Sequence, residues 1–201
     1  MDENRFTLAG WLAIAQAIIF PVAIITGVVQ GIISIKAFGY RGPTFGPSTI
    51  MMIIFTIFSV YTLSKFREFL NEHYNFRKID LLITFAIWWN IIFQLLSLTL
   101  NGLIFVMWPI SPKLMTIIEL SFFSIAMITT GIIDIFIGIN LLRIKEIMSN
   151  LLTTFAYMIL IGGICELSVI LAFPVALLLV PASCVVLGLI FLKEKEQVEF
   201  V

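Results

Sequence analysis

The sequence predicts an all-α protein, a polytopic transmembrane helical bundle, and three observations predict it. Hydrophobic residues make up 61% of the 201 residues and charged residues 12%, whereas soluble domains carry about half and about a quarter. The mean hydropathy is +1.12. The apolar residues fall into six runs bounded by Gly, Pro or charge, and a helix needs about 20 such residues to cross a bilayer. Continuous runs favour helices over a barrel, whose strands would alternate in segments of about ten residues. A single integral membrane domain, 1–201, is expected, with no room for a separate soluble one.

The first run, Leu8 to Ile35, follows a short polar stretch from Met1 to Arg5. Ala13, Ala15 and Ala17 mimic the spacing of a signal-cleavage site, but few apolar residues precede them and the run continues well past them, so an uncleaved first helix is expected. A stiff Gly- and Pro-rich turn from Phe38 to Pro47 leads to the second run, Ser48 to Ser64. Lys65, Glu68 and Glu72 then keep helical spacing, which predicts that the second helix continues beyond the membrane as a short charged extension. The third and fourth runs, Leu81 to Trp108 and Leu114 to Leu142, and the first exceed what a hydrocarbon core of about 30 Å requires. Bending is expected at Pro21 and at Thr129, Thr130 and Gly131, where the helical ladder is weakened. The fifth and sixth runs, Asn150 to Leu171 and Val175 to Leu192, are separated only by Ala172, Phe173 and Pro174. They read either as two full spans or as a tight, partly re-entrant hairpin, giving six spans or five plus that hairpin.

Charge sets the orientation. With the N-terminus inside, the cytoplasmic side collects Arg5, Lys65, Arg67, Arg77, Lys78, Arg143, Lys145, Lys193 and Lys195, and the other side keeps Lys36, Arg41 and Lys113. Nine cations against three place both termini in the cytoplasm of a cell-membrane protein. Trp11 and Tyr61 near the inner boundary, and Tyr40 and Trp108 near the outer one, suit interfacial belts. The even-numbered runs each end in a basic and acidic cluster, at Lys65–Glu68, Arg143–Glu146 and Lys193–Glu196. That hints at three repeated hairpins, although cations at helix C-termini also complement the dipole without any common origin.

Several function classes are excluded. No basic face exists to bind nucleic acid. Cys165 and Cys184 lie in apolar runs and form neither a disulfide framework nor a C-x-x-C motif. His73, the single histidine, sits in the most charged loop, which removes paired-His haem or zinc ligation and a Ser/His/Asp triad in the membrane. No cofactor and no metal site is expected. The partners expected are the lipid bilayer and, for a chain of this size with almost no soluble loops, a second copy or a membrane-complex subunit.

What remains is the polar content of the runs. Asn90, Gln94, Ser97 and Asn101 fall within about 60° of one another on the third helix. Glu119, Thr130 and Asp134 share a similar arc on the fourth, and Gln16 and Gln30 share one face of the first, where Gly27 and Gly31 form a G-x-x-x-G pair that permits close helix approach. Glu166 follows Gly162 and Gly163 on the fifth. Amides and glycines so placed serve helix packing. Carboxylates are different: Glu119, Asp134 and Glu166 have no Lys or Arg inside any run to answer them, and an ionised one near the bilayer centre costs about 2.5 to 3.5 kcal/mol to insert. Intramembrane acids are functional candidates by default, with a protonated acid bonded to an amide as the structural alternative.

The candidate path is therefore Asp134, Glu166, Glu119, Asn90, Gln94, Asn101, Thr130 and Gln16. It reads as a vestibule that opens outward and narrows to Asp134, with Lys36, Arg41 and Lys113 near its mouth. Two functions fit: a small carrier or permeation protein for a proton, cation or small polar solute, or a non-catalytic accessory or scaffold subunit. An intramembrane enzyme acting on lipid would need a nucleophile, base or metal site that these residues do not assemble.

Overall fold

The computed structural model describes residues 3–38, 46–106, 111–168 and 171–198. They form six α-helices, α1 (Glu3–Phe38), α2 (Pro47–Tyr74), α3 (Asp80–Val106), α4 (Pro112–Leu142), α5 (Asn150–Leu167) and α6 (Ala172–Val198), with one short 3-10 turn at Lys145–Ile147. No strand occurs among the described residues. Five helices are long and apolar enough to cross a membrane, and α6 carries a shorter apolar stretch, Leu177–Lys193.

Local chemistry sets the ends. Pro47 and Pro112 open α2 and α4, positions where the missing N–H has no intrahelical partner to lose. Ser149 caps α5 by accepting the Leu152 N–H at 3.3 Å. At the end of α2 Asn75 takes a left-handed conformation, φ 48°, and its N–H returns to the Leu70 carbonyl. The predicted charged extension of α2 is present, with Lys65 Nζ donating to Glu68 Oε2 at 2.7 Å. His73 belongs to its last turn rather than to a loop, its ring stacked on Phe69 at 4.5 Å, because the helix runs on to Tyr74.

Two expectations are corrected. Ala172, Phe173 and Pro174 do not separate the last two helices: they begin α6, where a first-turn proline is tolerated, and α5 ends before them at Leu167. There the Ser168 hydroxyl donates to the Cys165 carbonyl at 2.7 Å and accepts the Leu171 N–H at 3.0 Å. Gly27 does not create a close helix approach, since a Cβ there would meet Ser48 at an ordinary 3.7 Å. The tight seams lie elsewhere. A Cβ on Gly10 would stand 2.8 Å from Leu192, and one on Gly188 would stand 2.8 Å from the Gly10 carbonyl, so α1 and α6 touch backbone to backbone. The helices α1 and α4 run continuously through Pro21 and through Thr129–Gly131.

The helices close into a ring. Each packs on its sequence neighbours, α6 returns to α1, and α3 touches α2 and α4 much more sparsely than the others touch each other. Neighbours are antiparallel, and the polar pairs keep one register: Gln16 with Thr62 and Gln30 with Ser48 across α1 and α2, then Thr56 with Gln94 and Arg67 with Thr84 across α2 and α3. Phe6 stacks on Phe191 at 6.1 Å, which brings the start of α1 and the end of α6 to the same end of the ring.

At that end lies the core. Its largest fully buried side chains are Phe66, Phe69, Leu70, Ile79, Ile83, Leu141, Leu152 and Ile190, drawn from the ends of α2, α4 and α6 and the starts of α3 and α5. Phe66 meets Phe155 edge to face across the ring at 5.3 Å. Beyond this plug the buried residues are small or polar, Ala17, Ala23, Ser34, Ala126 and Glu166 among them. One end is thus plugged with apolar side chains, and among the described residues the large fully buried ones gather there.

Candidate functional site

The geometry begins with glycine. Gly131 and Gly138 on α4, and Ala156 and Gly163 on α5, are each seven residues apart and so fall on one helix face. The antiparallel pair sets Gly131 against Gly163 and Gly138 against Ala156. A Cβ on either Gly131 or Gly163 would lie 2.7 Å from the other's carbonyl oxygen, and one on Gly138 would lie 2.9 Å from Leu160 Cβ and 3.1 Å from the Ala156 carbonyl. Only residues without bulk permit backbones this close.

That seam presents two carboxyls to each other. Asp134 lies three residues past Gly131 toward the plugged end, and Glu166 three residues past Gly163 toward the opposite end, a separation of about 9 Å along the axis. Side chains lean toward their helix N-terminus, and in this antiparallel pair the two leans converge. Glu166 Cβ packs 3.1 Å from where a Gly131 Cβ would be, and the carboxyls are within electrostatic reach of one another. Glu166 is 7% exposed, and its Oε2 has no hydrogen-bond partner in the protein. Asp134 is half-buried.

Free space lies on the same face of α5 as Glu166. Phe155, Ile159, Gly162 and Glu166 form one stripe on α5 at helical spacing, and Phe155 reaches across the ring to Phe66. Gly162, on that inward stripe, has no atom within 4 Å of the position a Cβ would take. Its neighbour Gly163 is at backbone contact. The two adjacent glycines therefore do opposite things, one closing a seam and the other leaving space beside Glu166.

Two further predicted residues reach this layer. Trp89 Nε1 donates to Thr130 Oγ1 at 3.1 Å, which sets Asn90 level with Thr130, one turn from Asp134. Asn90 is two turns from the buried Ile83 on the same inward face and uses its Nδ2 on the Ala86 carbonyl at 2.9 Å, so its Oδ1 is the atom left for other contacts. Asp134, Thr130 and Asn90 therefore lie within about a helical turn of one another along the axis, and Glu166 leans toward them from about 9 Å along the axis from Asp134.

The others stand apart. Gln16 is 3% exposed and donates to Thr62 at 3.1 Å, sealed in the α1–α2 seam. Gln94 accepts from Thr56 at 3.3 Å between α2 and α3. Asn101 folds back on the Ser97 carbonyl at 2.9 Å, well toward the open end of α3. Glu119 is half-buried on the inward arc of α4, fifteen residues and about 22 Å from Asp134. Of the bases placed at the mouth, Lys36 is exposed at the end of α1, while Arg41 and the side chain of Lys113 lie outside the described residues.

Sequence reasoning missed the hydroxyl partners Ser48, Thr56 and Thr62, the Trp89 anchor of Thr130, and the α4–α5 and α1–α6 glycine seams. The seven-residue spacing of small residues on α4 and α5 was the available signal. No protein-family model, characterised protein or solved structure matches the chain.

Proposed function

We propose that this is a six-span integral protein of the cell membrane with both termini cytoplasmic, and that it is a small carrier or permeation protein for a proton, cation or small polar solute. The sixth span is supported by the return of α6 along α1, and the orientation by nine cations against three. The observation that carries the transport reading is the facing of Asp134 and Glu166, with Glu166 Oε2 buried and unpartnered beside open space at Gly162. An acceptor left unsatisfied in a buried site costs about 1 to 3 kcal/mol, a burden that purely structural packing has no reason to keep.

In this reading the Phe66–Phe155 plug is the inner barrier, and the carboxyls lie on its outer side. The arrangement is that of a carrier closed toward the cytoplasm. The second reading, an accessory or scaffold subunit, is favoured by Gln16, Gln30 and Gln94, each spent on a helix-to-helix hydrogen bond.

The test is flux. Purified protein in liposomes should move a proton, cation or small solute, and Asp134→Asn with Glu166→Gln should abolish that movement while the protein still folds. No flux of any tested species, with the substitutions changing stability alone, would leave the scaffold reading in its place.

A further inference from the structure

Resting on that transport reading, we infer that the Asp134–Glu166 layer is a binding site for a small N–H-bearing monocation, ammonium or a small primary amine. The site offers negative charge and acceptors. Glu166 Oε2 is unpartnered and nine-tenths buried, Asp134 lies across the glycine seam within electrostatic reach, and Asn90, with one amide N–H on the Ala86 carbonyl, has its Oδ1 to offer as an acceptor. Thr130 Oγ1 is fixed by the Trp89 N–H. No Lys or Arg occurs within any of the apolar runs to neutralise the pair.

Charge and shape narrow the occupant. An anion would oppose the ionisation of two neighbouring carboxyls, whereas a bound cation is what allows a carboxylate to exist in a low-dielectric layer, where an isolated ion is heavily penalised. A tightly held divalent or transition metal wants more ligands than this: among the described residues no third His, Cys, Asp or Glu joins the pair. An ammonium group carries three or more N–H donors on one small centre and forms charge-assisted bonds to converging carboxylate and carbonyl oxygens. Free space adjoins the pair at Gly162, where no atom lies within 4 Å of a Cβ position.

The experiment uses the full chain in liposomes with an inside-negative potential and radiolabelled methylammonium as the probe. Saturable uptake is expected, competed by ammonium and not by tetramethylammonium, which has no N–H. Removing one charge-assisted bond by Glu166→Gln should lower uptake about ten- to hundredfold. Gly162→Phe leaves both carboxyls in place and fills the adjoining space, so it should lower uptake with thermal stability unchanged, a separation that a packing role for this layer does not give. Rubidium or divalent uptake with methylammonium excluded would overturn the amine assignment, as would methylammonium uptake indifferent to both substitutions. Asp134-dependent proton flux without amine uptake would also overturn it and leave the transport reading standing. Silence toward every species would remove both.

Discussion

Gly162→Ala and Gly163→Ala test the α4–α5 seam with the same atom added at consecutive positions. At Gly163 the new methyl would lie 2.7 Å from the Gly131 carbonyl oxygen and 3.0 Å from Ile135, whereas ordinary contact begins at 3.4 Å. The helices must therefore separate by about 0.7 Å, and a gap of that size forfeits a quarter to a half of each contact's ~0.1 to 0.2 kcal/mol. Summed over some tens of atom pairs the loss is about 1 to 3 kcal/mol, the usual range for overpacking. At Gly162 the methyl meets nothing within 4 Å. Both substitutions gain the same helix propensity, about 1 kcal/mol, so the difference between the variants isolates the seam. Thermal unfolding in detergent should place Gly163→Ala below Gly162→Ala by roughly 2 to 10 °C for a chain of this length. Equal melting temperatures would refute the backbone contact, and with it the geometry that turns the two carboxyls toward each other.

Other outcomes follow from the same coordinates. Phe155→Ala should destabilise the plugged end by about 3 to 5 kcal/mol and raise background leak of a trapped dye, while Phe123→Ala, at a side chain 38% exposed, should do neither. Thr62→Val removes the partner of buried Gln16 and should cost about 0.6 to 1.7 kcal/mol in a steric-trapping measurement, the range found for interhelical bonds in lipid. Asn75→Gly should be tolerated and Asn75→Val should lose about 1 to 2 kcal/mol, because φ there is 48°. With Cys165 and Cys184 replaced, single cysteines at positions 130 and 134 should react with an impermeant thiol reagent added from the side opposite the termini. Those at 137 and 141, in the plug, should stay inert.

Much of the architecture was legible because lipid imposes it. A chain that must satisfy its backbone in hydrocarbon can form only long helices here, so all six apolar runs became helices. The α2 extension followed from charges at helical spacing. What the sequence did not reveal were facts of pairing. Gly27 makes only ordinary contact with Ser48, and backbone-tight seams came from Gly10 with Gly188 and from Gly131 with Gly163, because spacing within one helix says nothing about the residue opposite. The eight path candidates were chosen by face, and face alone could not show that Gln16 and Gln94 were already committed to hydroxyls on α2. Asp134 and Glu166 were singled out by chemistry, and their facing one another needed the α4–α5 register.

The sparse packing of α3 bears on how such a ring would change shape. Four consecutive members of the circle, α4 through α6 and on to α1, are joined by broad or backbone-tight seams, and α3 is the slack link. Deformation concentrates where resistance is lowest, and α3 contributes Ile83 and Ala86 to the plug and Asn90 to the carboxyl layer. Swinging this single rod would loosen the stopper and reshape the acidic chamber in one stroke, without prying apart any pair of touching glycines.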